Sequence, residues 1–183
     1  MALDADPPIR RRILDAVYVV LSRSGHQNLQ LSDVAAQAGV SRPTLYRYFG
    51  SREGLLEAFS IYENDNFDAG IAAAMAGLSG PDRLDAALQF IVEFQDSFSA
   101  RAVVDIEPGY VLAEMRRLLP AMHTKLRQII PGEHSDIAAA AVVRIAVCHY
   151  LVQGGSAEQF LSELRHAAGL EPRRRRLPRT ATG

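Results

Sequence analysis

The chain has 183 residues, 48% of them apolar, which is enough for a real hydrophobic core and too much for a disordered protein. A formal net charge of -1 conceals an asymmetry: residues 1–56 hold seven Arg against five acids, residues 57–171 hold eight bases against sixteen acids, and the stretch from Pro172 holds five Arg and no acid. One end therefore suits a polyanion while the remainder is acidic, and the single cysteine, Cys148, excludes an intrachain disulfide or thiolate metal framework.

Helical spacing recurs along the chain, and alternating β-branched runs with hairpin dipeptides do not occur, so the expected fold class is all-α with about nine helices. Asp6-Pro7-Pro8 opens a first helix with Ile9, Ile13, Ala16, Val17, Val20 and Leu21 in one stripe, stopped at Gly25. A short helix over 31–38 turns Val34, Ala35 and Ala38 inward, and Gly39 supplies a left-handed turn. A third short helix covers 42–48, and Ser51 caps a long one reaching about Ala76. Gly80-Pro81 starts a helix carrying Leu84, Leu88, Ile91, Phe94 and Phe98 at steps of three and four. Pro108, Pro120 and Pro131 then punctuate the chain, which predicts separate helices over 109–118 and 120–130. The last two helices, over 136–153 and 157–168, are parted by Gly154-Gly155, with Ser156 and Gln159 at capping-box spacing and Gly169 as the stop. Residues 172–183 read as a disordered basic tail.

Within residues 30–49 two short helices meet at Gly39. Ser41 caps the second, Val40 and Leu45 stand where a hydrophobic staple forms, and Pro43 lies in the first turn, where a missing N–H is harmless. With Leu45 and Phe49 turned inward, Arg42, Thr44, Tyr46 and Arg47 face outward beside Pro43. Such a face suits the DNA major groove. Arg42 offers a bidentate pair to guanine, and Thr44 and Pro43 reach a thymine methyl or base edge. Tyr46, Tyr48 and Arg52 suit phosphates, as do the free N–H groups at the start of a helix. The DNA-contacting set is then Ser41, Arg42, Pro43, Thr44, Tyr46, Arg47, Tyr48 and Arg52.

Residues 9–59 resemble the DNA-binding head of the tetracycline-repressor (TetR) family of bacterial regulators. The resemblance lies in Asp33-Val-Ala-x-x-Ala-Gly-Val-Ser-x-x-Thr-Leu-Tyr-x-Tyr-Phe, followed by Ser51-Arg-Glu-Gly-Leu-Leu. The spacing matches across the head, whereas the rest of the chain matches only in helix count and length. What the resemblance implies is a homodimer, a palindromic operator in double-stranded DNA, usually repression, and release by a small molecule. Two positions depart from it. Gln30 stands where the family usually has Thr or Ser, weakening the cap of the second helix, and Ser32 replaces a longer polar residue, so that it reaches only a nearby phosphate.

The expected organisation is a helix-turn-helix domain over 9–56, a ligand-binding and dimerisation domain over 57–171, and the tail. Ala138, Ala141, Val142 and Ile145, with Phe160, Leu161 and Leu164, form two apolar stripes that serve the chain's own core or, as the resemblance implies, a four-helix interface with a second copy. Phe59, Tyr62, Phe94, Phe98, Tyr110, Met115, Met122 and Tyr150, with His123, His149, Asp105 and Glu107 as polar partners, are candidates to line a site for a bulky, mainly apolar effector, with plain core packing as the alternative for each. No catalytic constellation is apparent. Glu163-x-x-His166 has di-iron spacing but no second pair, and Lys125, the sole lysine, lies outside any phosphate loop. Cys148, among Ile145, Val147 and Tyr150, reads as a buried inert thiol. No cofactor and no metal are expected. The acidic start lacks the basic region of a secretory signal, and the longest apolar run, 137–143, falls short of the roughly 20 residues of a membrane helix, so a cytoplasmic protein is expected. The competing readings are a constitutive DNA-binding protein without effector and an all-α enzyme.

Overall fold

The computed structural model describes residues 7–97, 104, 106–152 and 154–170. Among them are eight helices and no strand: α1 Pro7–Ser24, α2 Leu31–Ala38, α3 Arg42–Phe49, α4 Arg52–Ala74, α5 Gly80–Ser97, α6 Pro108–Ile129, α7 Ser135–Val152 and α8 Ala157–Ala167. The all-helical expectation holds. Phe98, Asp105 and the tail over 172–183 lie outside the described residues.

Two hydrophobic cores organise the chain. In the head, Ile13, Leu14, Val17 and Val20 of α1 repeat at helical steps and meet Leu29, Val34, Ala35, Leu45 and Leu55. In the body, Leu84, Leu88 and Ile91 of α5 meet Leu126 of α6, Val142 of α7, and Phe160 and Leu164 of α8. The long helix α4 serves both: Leu56, Ala58, Phe59 and Tyr62 pack on the head core, and Phe67 packs on the body core. Ion pairs lie along the body's seams, Lys125 Nζ to Asp68 Oδ1 at 2.6 Å between α6 and α4, and Arg165 bidentate to Asp85 at 2.5 and 2.9 Å between α8 and α5.

Pro120 does not divide two helices as expected. It lies inside one continuous helix, α6. Proline removes one helical N–H and crowds the carbonyl four residues back, yet Leu119, Met122 and Leu126 dock on the body core on both sides of it, and that packing carries the helix through. The Thr124 hydroxyl donates to the Pro120 carbonyl at 2.9 Å, as a residue four positions on can.

Three of the expected interface residues belong to the protomer's own core. Val142, Phe160 and Leu164 are fully buried within a single chain, with Phe160 stacked on His149 at a centroid distance of 3.9 Å. The exposed stripe of α7 is instead Ile137, Arg144, Cys148 and Val152, of which Ile137 and Val152 are 70% and 74% exposed. Cys148 is therefore exposed, not buried as expected. By length and composition α7 is apolar enough to cross a membrane, with a mean hydropathy of 1.5; it packs here against α6 and α8.

Because tertiary packing holds α6 straight across an unfavourable residue, Pro120→Ala should raise stability by about 1–3 kcal/mol. Urea denaturation checks this, and an unchanged or lowered midpoint would contradict it.

Candidate nucleic-acid interface

The surface that could meet DNA is built around an eight-residue helix, α3, which is too short to be stable alone and takes its position from its ends and its buried side. At the turn before it, Gly39 adopts φ 64°, a conformation open to glycine at little cost, and the N–H of Val40 closes onto the Ala35 carbonyl at 2.9 Å. Ser41 then caps α3, its Oγ accepting from the Thr44 N–H at 3.2 Å and sharing a 2.8 Å hydrogen bond with the Thr44 hydroxyl. Leu45 has no exposed surface, and Phe49 and Val40 pack beside it on the head core.

Burial of that side turns the other side out. Ser41, Arg42, Pro43 and Arg47 are exposed, and Tyr46 is 43% exposed. Thr44 is half-buried, as is Tyr48, whose ring packs on the head core beneath the Arg47 guanidinium, 5.6 Å from the ring centroid. Arg42 and Tyr46 share with Gln27, Gln30, Ser32 and Arg52 a polar cleft of about 400 Å³. Gln30 makes no side-chain bond to α2, as its departure from a Ser or Thr cap suggested.

Arg52 is a correction. Expected to reach phosphate, its guanidinium donates to the backbone carbonyls of His26 and, at 3.3 Å, Leu29, and so fastens the loop between α1 and α2. The arginines of α1 are likewise structural in part. Arg12 Nε donates to the Ala38 carbonyl at 2.8 Å, closing the C-terminus of α2, and Arg10 lies 5.8 Å over the Phe49 ring.

The residues expected around an effector are scattered. Phe59 and Tyr62 pack on the head core, and the Tyr62 hydroxyl donates to Asp15 Oδ1 at 2.7 Å. Tyr110 stacks on His26 at 4.1 Å, and Glu107 accepts from the N–H groups of His26 and Gln27 at 2.7 Å each, so both stand where head meets body. There burial lowers the His26 pKa, Arg52 adding to the effect against Glu107 and Glu114, and burial followed by the Glu114 carboxylate raises that of Tyr110. His123 faces Asp136 at 3.5 Å beside a shallow cavity of about 250 Å³ between α6 and α7. Burial pushes the Tyr150 phenol up to about 12, with Tyr18 and Tyr110 as lesser causes. Phe94, Met122, Met115 and His149 do belong to the body's helices, where Phe94 meets Phe67 edge to face at 5.1 Å. Among the described residues no group of three or more His, Cys, Asp or Glu could hold a metal.

Comparison with known proteins follows the same division. A family model described as bacterial regulatory proteins, tetR family, matches residues 13–59. The chain is 44% identical over 86 residues to the HTH-type transcriptional repressor LfrR of Mycolicibacterium smegmatis, a match covering 47% of this chain and 43% of that protein. It is 34% identical over 127 residues to the HTH-type transcriptional regulator BetI of Agrobacterium fabrum, covering 66% of this chain and 61% of that one. The chain thus spans about half the length of these curated relatives. The fold is similar to that of a TetR-family transcriptional regulator from Streptomyces coelicolor, with a TM-score of 0.66 at 19% identity, covering 90% of this chain and 96% of that one.

Since the two helix caps differ in chemistry, they should respond oppositely to substitution. Ser41→Ala should cost about 1 kcal/mol by removing a working cap, and Gln30→Ser should add about 0.5–1 kcal/mol by supplying a missing one. Denaturant midpoints of the two variants decide the matter, and equal shifts in one direction would contradict it.

Proposed function

We propose that this chain, whose residues 13–59 match the model of the tetR family of bacterial regulatory proteins, is a member of that family and a cytoplasmic transcriptional repressor that grips a palindromic operator as a homodimer and lets go when a small, mainly apolar molecule binds its body. The observation that carries the reading is the outward side of α3, where Arg42, Pro43, Tyr46 and Arg47 stand in solvent while Leu45 is sealed beneath them. Arg42 pairs with a guanine edge in the major groove; Tyr46 and Arg47 hold phosphates beside it. In this reading residues 9–56 bind DNA and residues 57–171 dimerise and respond to the effector.

Dimerisation is supported by the exposed stripe of α7, which leaves Ile137 and Val152 in solvent on an otherwise apolar helix. Two heads bound to one duplex read a palindrome together, which a single short helix does poorly. The effector reading is supported by the aromatic group of Phe67, Phe90 and Phe94 between α4 and α5. Elsewhere on α5, the Gln95 amide donates to the Ala146 carbonyl of α7 at 3.2 Å while its buried Oε1 has no partner, so a hydrogen-bond donor reaching between α5 and α7 would be favoured there. The name of LfrR, a repressor, favours repression over activation.

Arg42→Ala should relax discrimination between operator and random DNA by about 1–3 kcal/mol, whereas Tyr46→Phe should weaken binding to all duplexes about equally. Titration of both variants on DNA selected by the wild type tests this. An equal loss on operator and random DNA from Arg42→Ala would make that residue a phosphate contact.

A further inference from the structure

We propose that Glu107 sets which half-site spacing this protein accepts, by fixing the angle between each DNA-binding head and the body, an inference that rests on the operator-binding reading above. Glu107 occupies the position before α6, where a side chain would ordinarily cap its own helix, yet it makes no such bond. Both carboxylate oxygens cross instead to the head, accepting the N–H of His26 and the N–H of Gln27, each at 2.7 Å. The carbonyls of the same loop are answered from within the head by Arg52. Two of the loop's donors are thus held by the body and two of its acceptors by Arg52 of the head, with charge on both sides of the clamp.

The contact is close as well as polar. Tyr110, in the first turn of α6, lies on the His26 ring with 18° between the planes. Gly25, at φ 74°, has no room for a side chain: a Cβ there would stand 2.8 Å from Ile106 Cγ2 and 3.1 Å from Glu107 Oε1.

Geometry gives this clamp its consequence. The head is joined to the body by α4, a single helix, about whose axis it could turn. A second attachment, made by two hydrogen bonds from consecutive N–H groups of the loop between α1 and α2 to the start of α6, restrains the rotation, whereas one bond would act as a pivot. In a dimer the separation and relative angle of the two α3 helices are then inherited from the body. Adding one base pair between half-sites rotates one of them by about 35° and moves it about 3.4 Å. A clamped head cannot follow that change, and a head held only by α4 and the His26–Tyr110 stack can.

The test uses the full chain as wild type, Glu107→Ala and Glu107→Gln, with DNA recovered by the wild type from a pool of random duplexes. Affinity is measured for the recovered palindrome, for the same site with one base pair inserted at its centre, and for an isolated half-site. The wild type should lose about 100-fold on insertion and Glu107→Ala about fivefold or less, with half-site affinity unchanged within about twofold. Glu107→Gln, which keeps one acceptor, should fall between them, and it carries the test if the alanine variant does not fold. An insertion penalty equal in all three proteins overturns the proposal, as does a uniform loss on all DNA that tracks a lowered melting temperature. If the wild type recovers no palindrome, the operator-binding reading itself fails.

Discussion

Burial of Leu45 is the constraint from which the DNA-facing surface follows. A helix of two turns has little stability of its own, and sealing one leucine side chain from water contributes about 2–3 kcal/mol. With Leu45 held against α1 and α2, and with the turn at Gly39 and the cap at Ser41 fixing where α3 begins, its register is settled. Tyr46 and Arg47, one and two positions after Leu45, then point outward, and Arg42 in the first turn is left exposed. The exposure of Arg42 and Tyr46 is a consequence of what lies under them.

The same economy governs the charged residues around that surface. Arg12 closes the end of α2, Arg10 covers Phe49 and Arg52 holds the first interhelical loop, so the basic side chains nearest α3 largely keep it in place. Fewer arginines remain free to meet phosphate than the charge of this end suggests, and Arg42 and Arg47 gain weight accordingly. The head is carried in turn by α4, whose apolar residues change allegiance from the head core at Tyr62 to the body core at Phe67.

How far the sequence could be read depended on the distance over which each feature is determined. The turn at Gly39, the caps at Ser41, Ser51 and Ser156, and the inward pair Leu45 and Phe49 are set by neighbours within four residues, and they stand where spacing placed them. Pro120 failed as a stop because a local penalty was outweighed by packing on the body core. On α7 almost every position is apolar, so periodicity does not say which side faces inward: Cys148, expected inside, is exposed, and Val142, open to either core or interface, lies in the protomer's own core. An apolar stripe likewise does not distinguish a protomer's own core, where Phe160 and Leu164 lie, from a partner's. The contact of Glu107 with His26 spans 81 residues, and no local pattern announces it.

Chemical modification of DNA offers the most direct measurement of whether the Arg42 side of α3 enters the major groove. Guanine N7 lies in that groove and adenine N3 in the minor groove, so methylation interference on wild-type-selected duplexes separates the two. The expected result is that N7 methylation blocks binding in two patches related by the palindrome and about one helical turn apart. Interference confined to adenine N3, or absent at every guanine, would contradict it.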